Sequence, residues 1–388
     1  MTEDVVVLGS GYAGTGTVLS LEDELDGEAD VTWISDVPHH LVLHESHRCI
    51  RDPSLEGKIT FDCDDIAGPG TRFVEGRVEE VDVDDRTIRL ADDSTVDYDY
   101  LVVGFGSQTA FFGIDGLEEH SLTLKTLDDA LEIHEEVKQA AREASRNDPA
   151  QVVVGGAGLS GIQSAGEIAE FRDRHRAPID IHLVEGLDNV FPNNDPVVQA
   201  KLGNLLEEAG VNIMTGEFIG EVDEDTVYVG DDTELDYDVL VWTGGITGQN
   251  AAETTGVDQD ERSHRLHAAT DFRTEDDRVF ALGDAALVDQ GETPAPPTAQ
   301  AAWQAAEVAG ENVARAIRGQ PMKKWQHEDK GTLVSVGDDA VAHNVIGVRN
   351  VTETFGGPAA EQLKKIVAVR WINDVAGPVA AAKAYPDM

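Results

Sequence analysis

Residues 5–14 read VVVLGSGYAG, and residues 152–161 read VVVGGAGLSG. Each is an apolar run suited to a buried parallel strand, followed by glycines at the first, third and sixth positions of a turn: Gly9, Gly11 and Gly14, then Gly156, Gly158 and Gly161. The first glycine lets the chain turn tightly, the second lets a pyrophosphate approach the backbone, and the third lets the next helix pack on the strand. A second apolar strand follows each turn, Val31-Thr32-Trp33-Ile34 in one case and Ile179 to Val184 in the other. Strand, glycine turn, helix and strand in sequence form a dinucleotide-binding unit, so Tyr12 and Ala13, inside the first turn, are candidate cofactor contacts.

The duplication extends further. Residues 87–106 read TIRLADDSTVDYDYLVVGFG and residues 226–245 read TVYVGDDTELDYDVLVWTGG. These alternating strands with acidic turns predict a β-meander that runs into a core strand and a glycine turn, at Gly106 and again at Gly244. Gly9 and Gly156 are 147 residues apart, Asp92 and Asp231 139 apart, so fingerprint and meander recur in the same order. The predicted class is α/β, with two Rossmann-like domains carrying β-meander insertions and a C-terminal α+β segment.

A later apolar strand, from Val279, ends in Gly283-Asp284 and leads through a proline loop into the alanine-rich stretch PPTAQAAWQ. This strand would close the first unit although it follows the second. The expected division is therefore a discontinuous flavin-binding domain (1–115 and 246–322), an inserted NADH-binding domain (116–245) and a segment 323–388. Asp284 would accept hydrogen bonds from sugar-alcohol hydroxyls. Thr298 is a good N-cap, which would aim the amides of Ala299, Gln300 and Ala301 at an anion such as the N1–C2=O edge of a reduced flavin. In the second unit Glu185, at the end of its strand, would bond the ribose 2′-hydroxyl and repel a 2′-phosphate, favouring NADH over NADPH. The equivalent acid in the first unit is displaced: Ser35 stands there and Asp36 comes next, making Asp36 the candidate ribose contact.

The 388 residues include 75 acidic and 29 basic side chains, a formal charge of −46, which argues against nucleic acid as a partner. Acidic residues spread throughout with few lysines read as adaptation to a salt-filled cytoplasm, that of a halophile. Residues 323–388 break the trend with eight basic and eight acidic side chains. There, Leu363, Ile366, Val367 and Arg370 at helical spacing, with Lys364 and Lys365 alongside, suit a helix docked on a membrane surface, on the flavin domain or in a homodimer seam. The sequence goes straight from its start into a strand, and no apolar run reaches spanning length, which predicts a cytoplasmic protein, soluble or peripheral on the inner face of the cell membrane.

His40, His44 and His47 would share one face if residues 39–49 were helical, yet no CxxC or HExxH accompanies them, and a loop and helix covering the cofactor is the stronger reading; no metal is expected. Only two cysteines occur, Cys49 and Cys63; Cys49, in RCIRDP, reads as a packed thiol ahead of a redox one.

This order of motifs resembles the two-dinucleotide-binding flavoprotein reductases and, within them, the type II NADH dehydrogenases (NADH:quinone oxidoreductases). The broad resemblance rests on both fingerprints, the YDYLVVGFGS and YDVLVWTGG segments and FALGDAA; the narrower one rests on AQAAWQ (299–304) and KGT (330–332). It implies FAD and NADH as cofactors, a quinone or other small electron acceptor, Gln300 and Gln304 bordering the quinone pocket, and Lys330 assisting proton delivery. Such relatives usually carry a glutamate where this chain has Gln163, a neutral amide that orients groups but carries no proton. Two alternatives stay open: a soluble NADH-dependent flavin reductase acting on a thiol, oxygen or a redox protein, and a flavin- or NADH-binding sensor with weak turnover.

Overall fold

The computed structural model describes residues 2–345 and 354–388. In chain order its main elements are β1 (Glu3–Leu8), α1 (Tyr12–Leu25), β2 (Ala29–Ser35), α2 (Arg48–Arg51), β3 (Thr71–Glu75), β4 (Tyr100–Val103) and β5 (Ser107–Thr109). Then come α3 (Leu127–Glu143), β6 (Ala150–Gly155), α4 (Leu159–His175), β7 (Ile179–Glu185), β8 (Val211–Thr215), β9 (Val239–Trp242) and β10 (Ile246–Gly248). The chain continues through β11 (Val279–Ala281), α5 (Ala299–Ile317), β12 (Thr332–Val336), β13 (Asp339–His343) and α6 (Pro358–Ala384).

Two parallel sheets repeat one plan. The first has the order β3-β2-β1-β4-β11 and the second β8-β7-β6-β9. Val5 to Leu8 and Val152 to Val154 are all buried, as central strands covered on both faces require. The first sheet takes its fifth strand from residues 279–281, beyond the whole second sheet, as the strand at Val279 predicted. The chain crosses between the units at β5 and returns at β10, and these two strands pair antiparallel, Ser107 opposite Gly248. Each unit carries a three-stranded antiparallel meander with a register irregularity in its first ladder, between Val78 and Glu80 and between Ile219 and Glu221. The duplication therefore reaches the detail of a bulge.

Small residues set the layer spacing. A side-chain carbon at Gly16 would come 2.7 Å from Ala306 Cβ, and one at Gly310 2.6 Å from Ser20, so α1 and α5 cross closely over the first sheet. The β12–β13 hairpin packs on α4 at Gly166, where a Cβ would lie 2.5 Å from the Gly337 nitrogen.

Helix α6 lies across the first unit and breaks at Gly377, whose φ is +79°, just before Pro378. The docking reading made Lys364 a basic flank for lipid, and the structure corrects it. Lys364 is 9% exposed and its ammonium lies 3.5 Å from Glu45, which is 2% exposed. Charge in this segment is thus partly internal. Among the described residues no helix is long and apolar enough to cross a membrane.

Candidate functional site

The carboxyl ends of β1 and β6 open on one continuous cavity of about 2390 Å³. That is well above the ~300–1,000 Å³ of a typical small-ligand pocket and is long enough in both units to take two nucleotides. Every site residue expected from the sequence lines it except Gly14, Gly161 and Gly283, which pack behind its wall. A Cβ on Gly14 would sit 1.8 Å from the Gly9 carbonyl oxygen, and one on Gly161 1.8 Å from that of Gly156. By contrast a Cβ on Gly11 or Gly158 would meet nothing within 4 Å. The two second glycines thus face open space at the starts of α1 and α4, where a pyrophosphate fits against backbone amides. The residues present suit a dinucleotide in each unit.

Glu185 is pinned by two amides: Ala157 N–H donates to one oxygen at 2.8 Å and Leu187 N–H to the other at 2.9 Å. Its carboxylate is fixed at the cavity wall, with lone pairs still free for a ribose diol. Ser35, the residue in the same place in the first unit, instead meets the Ser10 hydroxyl at 2.9 Å and is buried. Asp36, exposed, lines the cavity beside it. Serine in place of Glu185 should narrow the preference for NADH over NADPH by removing the charge that repels a 2′-phosphate; equal use of both coenzymes by the unmodified protein would refute the assignment.

Thr298 caps α5, its hydroxyl accepting from Ala301 N–H at 3.2 Å. Ala299 and Gln300, whose amides open the helix without an intrahelical partner, line the cavity. Nearby, Ser107 links Asp284 (3.4 Å) to the Lys125 ammonium (3.1 Å). Burial holds Lys125 below the ordinary lysine value although Asp284 works against it. Lys125 had no signal in the sequence; Ser107, on the crossing strand β5, brings it to Asp284.

Gln300 and Gln304 act first on their own chain. Gln300 donates to the Gly331 carbonyl (3.1 Å) and accepts from Lys330 N–H (2.8 Å); Gln304 donates to the Glu328 carbonyl (3.0 Å) and accepts from Glu328 N–H (3.2 Å). Together they clamp residues 328–331 along α5, and both still line the cavity with the exposed Lys330.

The three histidines do not share a helix face. His40 is in a short strand, His39–Leu41, that pairs with Thr60–Asp62; His44 is in a 3₁₀ turn; and His47 precedes α2. Strand pairing twenty residues along the chain overrides the helical spacing. Instead His44 and His47 join a buried polar cluster, while His40 meets the Ser10 carbonyl and the indole of Trp371. The Lys364 ammonium donates to Ser335 Oγ (2.7 Å) and to His47 Nε2 (3.1 Å). The Gln163 amide is best satisfied with its oxygen toward Lys364 (3.2 Å) and Ser335 (3.3 Å). Burial and the nearby Lys364 push His47 well below its ordinary value, so it is a neutral acceptor. Burial acts to raise Glu45, yet Lys364, His44 and Arg48 hold it below the ordinary carboxylate value, keeping it charged. Beside this cluster Arg51 meets Glu167 at 3.0 Å and Asp338 at 2.6 Å.

Cys49 and Cys63 are fully buried, neither lines the cavity, and burial pushes both thiols up to about 12. A thiolate mechanism would need a far lower value.

The paired units, the shared cavity and the helix start aimed into it define a two-nucleotide oxidoreductase of the flavoprotein type. Residues 3–306 match the pyridine nucleotide-disulphide oxidoreductase family, and the chain belongs to it. Among characterised relatives it is 27% identical over 395 residues to the type II NADH:quinone oxidoreductase of Staphylococcus saprophyticus, with 96% of each chain covered, and 26% identical to that of Staphylococcus aureus over 400 residues, again covering 96% of each. Its fold superposes on NDH2 from Plasmodium falciparum in complex with NADH with a TM-score of 0.85 at 17% identity, covering 99% of this chain and 97% of that one. The sulfide:quinone oxidoreductase of Aquifex aeolicus follows with a TM-score of 0.79 at 18% identity, over 97% and 92% of the chains.

Proposed function

We propose that this protein is an FAD-dependent NADH:quinone oxidoreductase. Residues 1–115 and 246–322 hold the flavin, and 116–245 hold NADH. Bound there, the flavin supplies the redox chemistry, taking hydride from NADH and passing two electrons to the acceptor. The protein's own part is to align the two rings, exclude water and set the charge around them. The observation that carries this reading is the single cavity lined by both glycine turns, by Glu185 and by the start of α5. The fixed amides of Ala299 and Gln300 favour electron density on the ring edge near them. Leu363, Ile366 and Val367 of α6 give the same cavity an apolar wall suited to a quinone. The buried, high-value thiols weigh against the thiol-reductase alternative.

The test is anaerobic mixing of the purified yellow protein with NADH in molar salt, followed by a water-soluble benzoquinone. Rapid bleaching and full recovery of colour are expected. Bleaching without recovery would refute quinone as acceptor, and no bleaching would refute the reductase reading altogether. An apolar acceptor supports a peripheral position on the inner face of the cell membrane, with Ile366, 53% exposed, at the contact; sedimentation with anionic liposomes in molar salt checks this, and a protein left in the supernatant rejects it.

A further inference from the structure

Reduction of a quinone by NADH consumes one proton beyond the transferred hydride: NADH, a proton and the quinone give NAD⁺ and the hydroquinone. Gln163 cannot supply it, since a carboxamide has no proton to give. The structure offers another route on the flavin side of the cavity. Tyr12, in the first glycine turn, lines the cavity, and its hydroxyl is hydrogen-bonded to His44 Nδ1. The other nitrogen of His44 lies 3.7 Å from Glu45 Oε1. His44 Nε2 is buried and lacks a hydrogen-bond partner among the described residues, whereas Glu45 Oε1 also faces the Lys364 ammonium at 3.5 Å. A buried ring nitrogen is seldom left so, and one that faces a carboxylate marks a place where a proton or a water comes and goes.

We propose, on the basis of the quinone reductase reading above, that Tyr12 hands the proton to the bound acceptor and that His44, acting through Tyr12, replaces it, with Glu45 orienting the imidazole. In the step, the phenolic O–H of Tyr12 breaks as the acceptor's O–H forms. As Tyr12 takes the Nδ1 proton of His44, a water entering between Nε2 and Glu45 protonates Nε2 in the same step, so no imidazolate forms, and a water-assisted tautomer shift returns the proton to Nδ1 before the next turnover. No net charge stays behind.

The surroundings suit the task. Facing the pair are Glu45, His40 and His47 from their own segment and Lys364 from α6, with Arg48 of α2 acting on Glu45. Burial holds His44 below its ordinary value, with Lys364 adding and Glu45 opposing, so at neutral pH its imidazole is uncharged and both gives and accepts a proton. Burial and Glu45 keep the Tyr12 phenol protonated. The Tyr12 ring is 4.8 Å from Trp371, which is 4.5 Å from Trp303, the neighbour of Gln304 on α5. Two ring contacts therefore connect the phenol to the expected acceptor side.

The test compares the unmodified holoprotein with His44→Gln, Tyr12→Phe and the double variant, following flavin reoxidation by a water-soluble benzoquinone across pH after stoichiometric reduction with NADH. Each single variant should slow reoxidation about 100-fold, within the range for lost proton transfer, and the double variant should be no slower than either. Both should lose the pH dependence of the unmodified protein, and imidazole should partly restore a His44→Gly variant. A second readout needs no turnover: the tyrosine Raman doublet, assigned to Tyr12 by difference from Tyr12→Phe, should change in His44→Gln. An unchanged rate and pH profile in His44→Gln, additive losses in the double variant, or no imidazole rescue would overturn the relay. If NADH fails to bleach the unmodified protein, the quinone reductase reading fails first and the relay falls with it.

Discussion

Alanine at Gly161 should leave a yellow protein that NADH no longer bleaches efficiently, whereas alanine at Gly14 should give a largely colourless one. Both changes put a methyl carbon 1.8 Å from a backbone oxygen, Gly156 O in one case and Gly9 O in the other. No side chain can move aside there, so the helix must shift away from its strand, at the ~1–3 kcal/mol that overpacking costs. Since 1.4 kcal/mol is a factor of ten in affinity, each nucleotide should bind about 10- to 100-fold more weakly at its own site only. Flavin content by absorbance and NADH affinity by titration calorimetry check the pair. If Gly161→Ala bound NADH with unmodified affinity, the assignment of the second unit would be wrong.

The largest stability effect is expected at Arg51. Its guanidinium serves Glu167 at 3.0 Å, Asp338 at 2.6 Å and, more distantly, Glu170 at 4.0 Å. Glu167 is 1% exposed, and burial raises its carboxyl to about 7 despite Arg51, Arg48 and Lys364. Arg51→Met would strand that group, a loss of about 3–5 kcal/mol when one partner of a buried pair is removed. The sign with pH follows from linkage. A carboxyl whose folded value is raised binds its proton more tightly in the folded state, so its contribution is full below the unfolded value near 4.5 and is lost as pH rises through about 7. Without Arg51 the folded value rises further, so the penalty should be larger at pH 8 than at pH 6. Urea unfolding at both values measures it, and Glu167→Leu added to Arg51→Met should recover most of the loss. An equal penalty at the two pH values would mean that Glu167 is not the stranded group.

The parts of the fold that were legible in the sequence are those fixed by neighbours along the chain. Strand, glycine turn and helix at residues 5–14 and 152–161, the closing strand at Val279 and the cap at Thr298 are all set by steric and hydrogen-bond rules acting within a few residues. The repeated text at 87–106 and 226–245 carried the topology further, because a duplicated unit folds by a duplicated plan. What was not legible depends on distant partners. His40 is drawn into a strand by residues 60–62, and Lys364 turns inward because Glu45, more than three hundred residues earlier, awaits it. A lysine beside leucine and isoleucine at helical spacing looks the same in sequence whether it meets lipid or a buried carboxylate. Likewise Gln300 and Gln304 were visible as a motif, but their grip on residues 328–331 required knowing which loop folds back over α5.

On the ribosome the two sheets cannot form in the order in which they are encoded. The second sheet needs only residues 150–242, whereas the first keeps one flank of β4 unpaired until residues 279–281 have been made. His40 then waits longer still, for the indole of Trp371, which donates to its Nε2 at 2.7 Å. Throughout that interval a nascent chain carries an apolar strand with an open hydrogen-bonding edge, the kind of surface that neighbouring chains pair with or chaperones cover. The unit begun first is thus finished last, and a ribosome stalled between residues 242 and 279 would release a half-sheet with a finished domain attached.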